Sequence, residues 1–195
     1  SVDNMLLLEH EDRYREAYVT LHTLGNRCMT AKDAAGLFGQ AVGGKGWYAP
    51  SDTRALITKQ PGIVRFLEPG EYRMIYGVAR MPKNGTGISG DNYTYFGSLP
   101  GQVIMSLSDG MGSGETAARE SQKVIELVQQ LLETGFSARS ALKMVNTILL
   151  LAGVEQHPAT LDLCCVNLCS GLLEAMKMGA VATFILSGGT AEVLE

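Results

Sequence analysis

The chain has 195 residues, 46% of them hydrophobic, which is enough for one full domain with a sizeable core. Its net charge is −4, and residues 81–195 hold six Lys or Arg residues against eleven Asp or Glu residues. Because this acidic part has no basic surplus for a phosphate backbone, we expect no nucleic-acid binding. No apolar run reaches the about 18 residues of a membrane span, so we expect a soluble chain without membrane contact.

Residues 1–70 are typical of a small α/β segment. An alternating strand pattern is followed by Thr30 and Asp33, which are placed for a capping-box-like helix start. Two short strands are predicted after that helix, “RALIT” and “GIVRFL”. The sequence “EPGE” at 68–71 predicts a turn and a domain boundary, so the second segment covers 71–195.

From residue 71 onward, the pattern is one of strands, then two helices, then strands again. Apolar residues recur at helical spacing over Glu115–Glu133 and again after Ser137. The predicted strands are “YRMIYGVAR”, “DNYTYFGS”, “QVIMSLS”, “TLDLCCVNL”, “LLEAMKM” and “TFILS”. This order favours a sheet-rich α+β architecture over a parallel βαβ fold.

The sequence around Pro100-Gly101 predicts a hairpin whose open end carries two acids. In an antiparallel hairpin, residues equally far from the turn lie opposite each other. Asp91 and Asp109 each lie nine positions from Pro100, so we expect them to face each other to within about one residue. Opposed side chains have Cβ atoms about 4.5–5.5 Å apart, and two carboxylates at that distance repel.

A divalent cation between the two carboxylates would remove this repulsion. Oxygen ligands favour a hard ion such as Mg²⁺ or Mn²⁺ over zinc. Gly110 allows a sharp turn after Asp109, which leaves its carbonyl available as a further ligand. In the alternative interpretation, Asp91 and Asp109 only cap loops by bonding to local amides. A register shifted by one residue would also weaken the metal interpretation, because the acids would then lie on opposite faces.

The glycine-rich “GMGSGE” does not predict a nucleotide site. A P-loop needs Gly-Lys followed by Ser or Thr, whereas Gly114 is followed by Glu115, an anion where a phosphate would lie. The third glycine is also at the wrong interval for the dinucleotide-binding fingerprint. The basic residues Arg80 and Lys83 precede Asp91 and are interpreted either as contacts to a substrate phosphate or as solvated loop charges.

Five stretches of the second segment together resemble one protein family. They are “GVAR”, “SGDNY”, “SLSDGMGSGE”, “ATLDL” and “KMGA”. In this order and spacing they resemble the phosphatase domain of the stage II sporulation protein E family, within the protein phosphatase 2C (PP2C) superfamily. The resemblance covers 71–195, and residues 17–70 are similar to the less distinctive segment that precedes the phosphatase core in that family.

The resemblance implies an incomplete αββα sandwich of the PP2C type with a small N-terminal α/β extension. It also implies a metal-dependent serine/threonine phosphatase, in which two Mn²⁺ or Mg²⁺ ions activate a water that attacks the phosphorus in line. Asp109 would be the bridging ligand, Gly110 would bind through its carbonyl, and Asp91 would orient metal or water. Asp91 and Asp109 are thus the implied catalytic residues. The implied substrate is a phosphoserine anti-anti-sigma factor in sporulation.

This sequence departs from the family pattern at its end. The family supplies two more aspartates, from a second “SDG”-type motif and a late “DD” motif, and both would lie beyond Glu195. We therefore expect a fragment with a partial metal site, weak ion binding and little activity. The remaining implications are a cytoplasmic domain of a protein that is membrane-anchored at full length, and a homodimer. The alternative function is a catalytically silent regulatory module that binds a partner protein through a phosphatase-like fold.

Overall fold

The computed structural model describes residues 1–10, 14–44, 46–82, 87–151 and 159–194. The chain divides into two compact units. The first unit is Ser1–Met74 with Asn167–Gly171, and the second is Ile75–Val166 with Leu172–Glu195. Within the described ranges, no helix has the length and apolar character needed to cross a bilayer.

Within the described residues, the first unit contains five strands and one helix. These are β1 (Val2–Glu9), β2 (Arg15–Leu21), β3 (Met29–Thr30), α1 (Ala31–Val42), β4 (Leu56–Ile57) and β5 (Gly62–Leu67). The strands β1, β2 and β5 form an antiparallel sheet in that order, and β3 pairs with β4. The predicted helix start is confirmed, since the Asp33 amide donates to Thr30 Oγ1 at 3.1 Å and the Thr30 hydroxyl donates back to the Asp33 carboxylate at 2.6 Å.

The described part of the second unit follows the predicted order of strands, two helices and strands. Its elements are β6 (Asp91–Gly97), β7 (Gln102–Asp109), α2 (Glu115–Glu133), α3 (Ala138–Leu151), β8 (Leu161–Asn167), β9 (Leu173–Met178), β10 (Thr183–Ser187) and β11 (Thr190–Leu194). A four-stranded sheet has the order β6-β7-β8-β9, and β10 and β11 form an antiparallel hairpin. This mixed helix-and-sheet architecture confirms the α+β prediction.

The strand predicted for residues 72–80 is wrong, because this segment forms no strand in the structure. Tyr76 instead stacks its ring on that of Tyr95 in β6, with ring centroids 3.7 Å apart. This segment therefore contacts one face of the sheet through a side chain, and its backbone does not pair with an edge strand. The alternation of residues 72–80 fits a strand, but a strand also needs a neighbouring backbone to satisfy its N–H and C=O groups.

The core of the second unit lies between the four-stranded sheet and the helices α2 and α3. Its buried members are Ile104, Val124, Ile125, Val128, Leu132, Ala141, Val145, Ala159, Leu161, Leu163 and Cys165. Asn92 and Thr94 of β6 turn toward this side, because both form hydrogen bonds with α2. Alternation along a strand therefore places Asp91 on the opposite face of the sheet, away from α2.

Candidate metal centre

The hairpin of β6 and β7 brings the two predicted acids together. Its strands pair in a continuous register in which Asp91 lies directly opposite Asp109. The connecting turn has proline second and Gly101 third, with a φ of 76° at Gly101 and a bond from the Gln102 amide to the Leu99 carbonyl of 2.9 Å. That is the residue pattern of a type II turn, so local turn chemistry fixes the register that the sequence predicted.

The carboxyl groups of Asp91 and Asp109 lie on one face of the sheet, on residues that are directly opposite each other. The pKa of Asp109 is raised, first by partial burial and then by its interaction with Asp91. The Ser89 hydroxyl donates to Asp91 Oδ2 at 2.9 Å. Within the residues that the structure describes, no Lys, Arg or His forms an ion pair with either acid. The pair therefore lacks a compensating charge from these side chains.

Gly110 joins this acidic pair to the start of α2. A Cβ atom at this position would lie 2.0 Å from the carbonyl oxygen of Ala117, so only glycine fits. The Gly110 amide donates to the Gly90 carbonyl at 3.2 Å, which ties the end of β7 to the residue before Asp91. Among the described residues, no hydrogen bond ends on the Gly110 carbonyl, which leaves this oxygen available as a ligand.

Thr160 holds Asp109 from the other side of β7. The Asp109 amide donates to Thr160 Oγ1 at 3.1 Å, and the Thr160 amide donates to the Asp109 carbonyl at 2.9 Å. The Ser108 hydroxyl adds a bond of 2.6 Å to the Thr160 carbonyl. Sequence reasoning missed this role. The signal was present as the threonine of “ATLDL”, but its partner lies 51 positions earlier and no local rule pairs the two.

The remaining predicted residues near the acids are less informative. Arg80 donates to the Ser89 carbonyl at 3.3 Å, and Lys83 lies outside the described residues. Glu115 occupies the first turn of α2, whose N-cap residue Gly114 offers no side-chain hydrogen bond. An acid in the first turn of a helix interacts favourably with the positive end of the helix dipole.

The donor atoms of this corner suit a hard divalent cation. Two carboxylates and one backbone carbonyl are oxygen ligands of the kind that Mg²⁺ and Mn²⁺ prefer. A cation would also supply the positive charge that, among the described residues, no Lys, Arg or His side chain supplies to either acid. Across the described residues, no group of three or more His, Cys, Asp or Glu side chains is arranged to hold a metal. The site consists of the paired acids and the Gly110 carbonyl, and its metal role stays a prediction.

Comparison with known proteins shows that part of the chain is similar to one family. Residues 100–195 match the model of the family described as Stage II sporulation protein E (SpoIIE). A relative of that name from Priestia megaterium is 37% identical over 112 residues, which are 57% of this chain and 19% of the relative. Its counterpart from Bacillus subtilis (strain 168) is 34% identical over 125 residues, which are 64% of this chain and 15% of the relative. The chain thus spans about a fifth or less of the length of these curated relatives.

One solved structure extends the comparison to the fold. It contains the PP2C phosphatase domain and a fragment of the regulatory domain of the cell fate determinant SpoIIE from Bacillus subtilis. The match has a TM-score of 0.67 at 23% identity, and it covers 100% of this chain and 56% of that one. The predicted PP2C-type fold class is thereby confirmed. The sequence matches and the fold match agree, and both show that this chain is similar to the stage II sporulation protein E family.

Proposed function

We propose that this chain is part of a metal-dependent protein serine/threonine phosphatase domain. The observation that carries the proposal is the direct pairing of Asp91 with Asp109 beside the Gly110 carbonyl. Like charges placed directly opposite each other destabilise a strand pair, so another interaction must offset the repulsion between these two carboxylates. A divalent cation bound between them would do so, and the PP2C-type fold supports a metal site at this position.

Each residue of the pair has a distinct part in this proposal. Asp109 and the Gly110 carbonyl would hold the cation, and Asp91 would orient it or its water. When bound, Mn²⁺ or Mg²⁺ would neutralise charge and supply an activated water for in-line hydrolysis of a phosphate monoester. The chain's own contribution is the fixed spacing of the oxygens, which Thr160 and the turn at Gly110 maintain from opposite sides.

The proposed substrate is a phosphoserine protein, an anti-anti-sigma factor acting in sporulation. This proposal is supported by the similarity of residues 100–195 to the stage II sporulation protein E family and by the role implied by the sequence resemblance. We further propose that residues 71–195 form the first part of the phosphatase domain, that 1–70 form a separate extension, and that the domain acts in the cytoplasm, with homodimerisation as its assembly. Because the resemblance implies further aspartate ligands outside these 195 residues, activity is proposed for the complete gene product and little of it for this chain alone.

Titration of Mn²⁺ against the 195-residue chain tests the ligand assignment. We expect the Asp109→Asn variant to bind Mn²⁺ about tenfold or more weakly, because one anionic oxygen donor is lost. The matched control is Asp52→Asn, which removes a carboxylate with 68% of its side chain exposed in the first unit and leaves the paired acids intact. Equal binding by the unmodified chain and Asp109→Asn would remove Asp109 from the ligand set.

Hydrolysis of a small aryl phosphate by the complete gene product tests the activity. We expect turnover that depends on Mn²⁺ or Mg²⁺ and that falls sharply in Asp109→Asn. A complete product that binds Mn²⁺ through Asp109 but hydrolyses neither the aryl phosphate nor a phosphoserine peptide would contradict the enzyme proposal. That result would favour the silent partner-binding module instead.

A further inference from the structure

A small polar cluster is buried between the start of β6 and the helix α2. It consists of the Gly90 carbonyl, the Asn92 side chain, the Ala118 carbonyl and the Ser121 side chain, which is 0% exposed. Further along α2, the buried residues that face the sheet are apolar and include Val124 and Val128, while Gln129 accepts a hydrogen bond from Thr94 of β6. The buried polar side chain of α2, Ser121, therefore lies at the end of this interface where the paired acids are.

The hydrogen bonds of this cluster form a directed chain. The side-chain amide of Asn92 uses both hydrogens, one to Ser121 Oγ and one to the Ala118 carbonyl, each at 2.7 Å. Ser121 Oγ in turn donates to the Gly90 carbonyl at 2.5 Å. The same carbonyl accepts from the Gly110 amide at 3.2 Å. The cluster thus links α2 to both strand ends that carry the acids.

Asp91, the first residue of β6, lies between the two residues that this cluster holds, Gly90 just before the strand and Asn92 within it. Gly90 is fixed through its carbonyl and Asn92 through its side chain, both on the side of α2. The Asp91 side chain projects to the other face, where it meets Asp109. A shift of the strand end relative to α2 would therefore move the Asp91 carboxylate, while Thr160 keeps Asp109 in place.

We infer that Asn92 and Ser121 are positioning residues that set the spacing between the Asp91 and Asp109 carboxylates. This inference rests on the proposed metal-dependent function and extends it to two residues that touch neither carboxylate. A cation site needs its oxygens in place before binding, and groups that orient the ligands contribute to its affinity. The buried chain from α2 provides that support on the Asp91 side.

The test compares Mn²⁺ affinity with stability in four variants of the chain. Ser121→Ala and Asn92→Ala break the cluster, and we expect each to weaken Mn²⁺ binding about tenfold. Thr94→Val is the first matched control, since it removes a 3.0 Å bond from β6 to Gln129 of α2 farther from the acids. Ser106→Ala is the second, because the buried Ser106 hydroxyl has no hydrogen-bond partner among the described residues. Both controls should keep the affinity of the unmodified chain.

Urea unfolding of each variant separates positioning from simple stabilisation. A residue that only stabilises the fold would lower the midpoint of unfolding and leave the Mn²⁺ affinity of the folded fraction unchanged. If Ser121→Ala does not fold, Asn92→Ala decides, because its polar-to-apolar change lies on a half-buried strand position.

Three results would overturn the inference. Unchanged Mn²⁺ affinity in folded Ser121→Ala and Asn92→Ala would overturn it while leaving the proposed metal site intact. Equal weakening by Thr94→Val would overturn it too, since any bond between β6 and α2 would then have the same effect. Failure of the unmodified chain to bind Mn²⁺ would overturn the proposed metal site and this inference together.

Discussion

Glu16 of the first unit and the acidic pair Asp91 and Asp109 of the second unit have opposite electrostatic surroundings. In the first unit, Glu16 is only 5% exposed, and both oxygens of its carboxylate have a basic side chain as partner. His10 Nε2 lies 2.8 Å from Oε1, and Arg65 donates to Oε2 from Nε at 2.8 Å and from Nη2 at 2.7 Å. In the second unit, Asp91 and Asp109 are less buried, yet each faces another acid.

The pKa shifts of these acids follow their surroundings. Burial favours a higher pKa for Glu16, but the hydrogen bonds and charges of His10 and Arg65 outweigh it, and the pKa is lowered. The pKa of Asp109 is raised by partial burial and by Asp91. Depth of burial therefore does not separate the compensated acid Glu16 from the proposed metal ligand Asp109. The distinction is whether the protein itself supplies the opposite charge.

The largest expected loss of stability comes from substituting Gly110. Backbone packing at this glycine, and not an ion pair among the described residues, holds the acidic pair in place. In Gly110→Ala the added Cβ would lie 2.0 Å from the Ala117 carbonyl oxygen, so β7 and α2 must separate. We expect a loss of about 3 kcal/mol in unfolding free energy, measured by urea denaturation. Gly77→Ala is the control, since a Cβ there meets nothing within 4 Å. Equal stability of Gly110→Ala and the unmodified chain would contradict this packing argument.

The next effect concerns the compensated acid of the first unit. Glu16→Gln leaves Arg65 partly buried without its main counter-charge, so we expect a loss of about 2 kcal/mol in urea unfolding at neutral pH. The control is Asp52→Asn, which lies 3.4 Å from Arg65 on the surface and should cost less than about 0.5 kcal/mol. A Glu16→Gln protein as stable as Asp52→Asn would show that the buried pair contributes little.

The same substitution predicts a dependence on pH. Since the pKa of Glu16 is lower in the folded chain than its ordinary 4.5, its stabilising contribution is present above that pH and is lost as the pH falls through the folded value. The unmodified chain should therefore lose more stability than Glu16→Gln between neutral pH and about pH 3. Parallel losses in both proteins would argue against a lowered pKa for Glu16.

The sequence correctly predicted the hairpin register and the helix α2, because both depend on residues close together in the chain. The register of Asp91 and Asp109 follows from one turn and from strand alternation, and the bounds of α2 follow from its apolar periodicity. The strand predicted at 72–80 was wrong because a strand also depends on a distant partner. Strand β1 was not predicted, since “MLLLE” does not alternate.

The residues that support the candidate site were not predicted, because they are far from it in the sequence. Asp91, Asp109 and Gly110 were identified from spacing and from a family resemblance, but their supports were not. Thr160 reaches Asp109 across 51 positions, and Ser121 reaches Gly90 across 31. The sequence predicted the candidate donor atoms, whereas the groups that hold these residues come from the packing of α2 and of the start of β8 on the hairpin.

The smallest expected effect is the change in stability caused by Asp109→Asn. It is the most direct test of the contrast between Glu16 and the acidic pair, because its sign should reverse when metal is added. Without metal, Asp109→Asn removes a like charge from the pair, so we expect the variant to be more stable than the unmodified chain by about 0.5 kcal/mol in urea with EDTA. With saturating Mn²⁺ the order should reverse, because a ligand that binds only the folded chain stabilises the protein that binds it more tightly. Glu16→Gln should be destabilising under both conditions, since its carboxylate is compensated by His10 and Arg65. An Asp109→Asn variant that is less stable without metal would mean that Asp109 serves the fold, as Glu16 does.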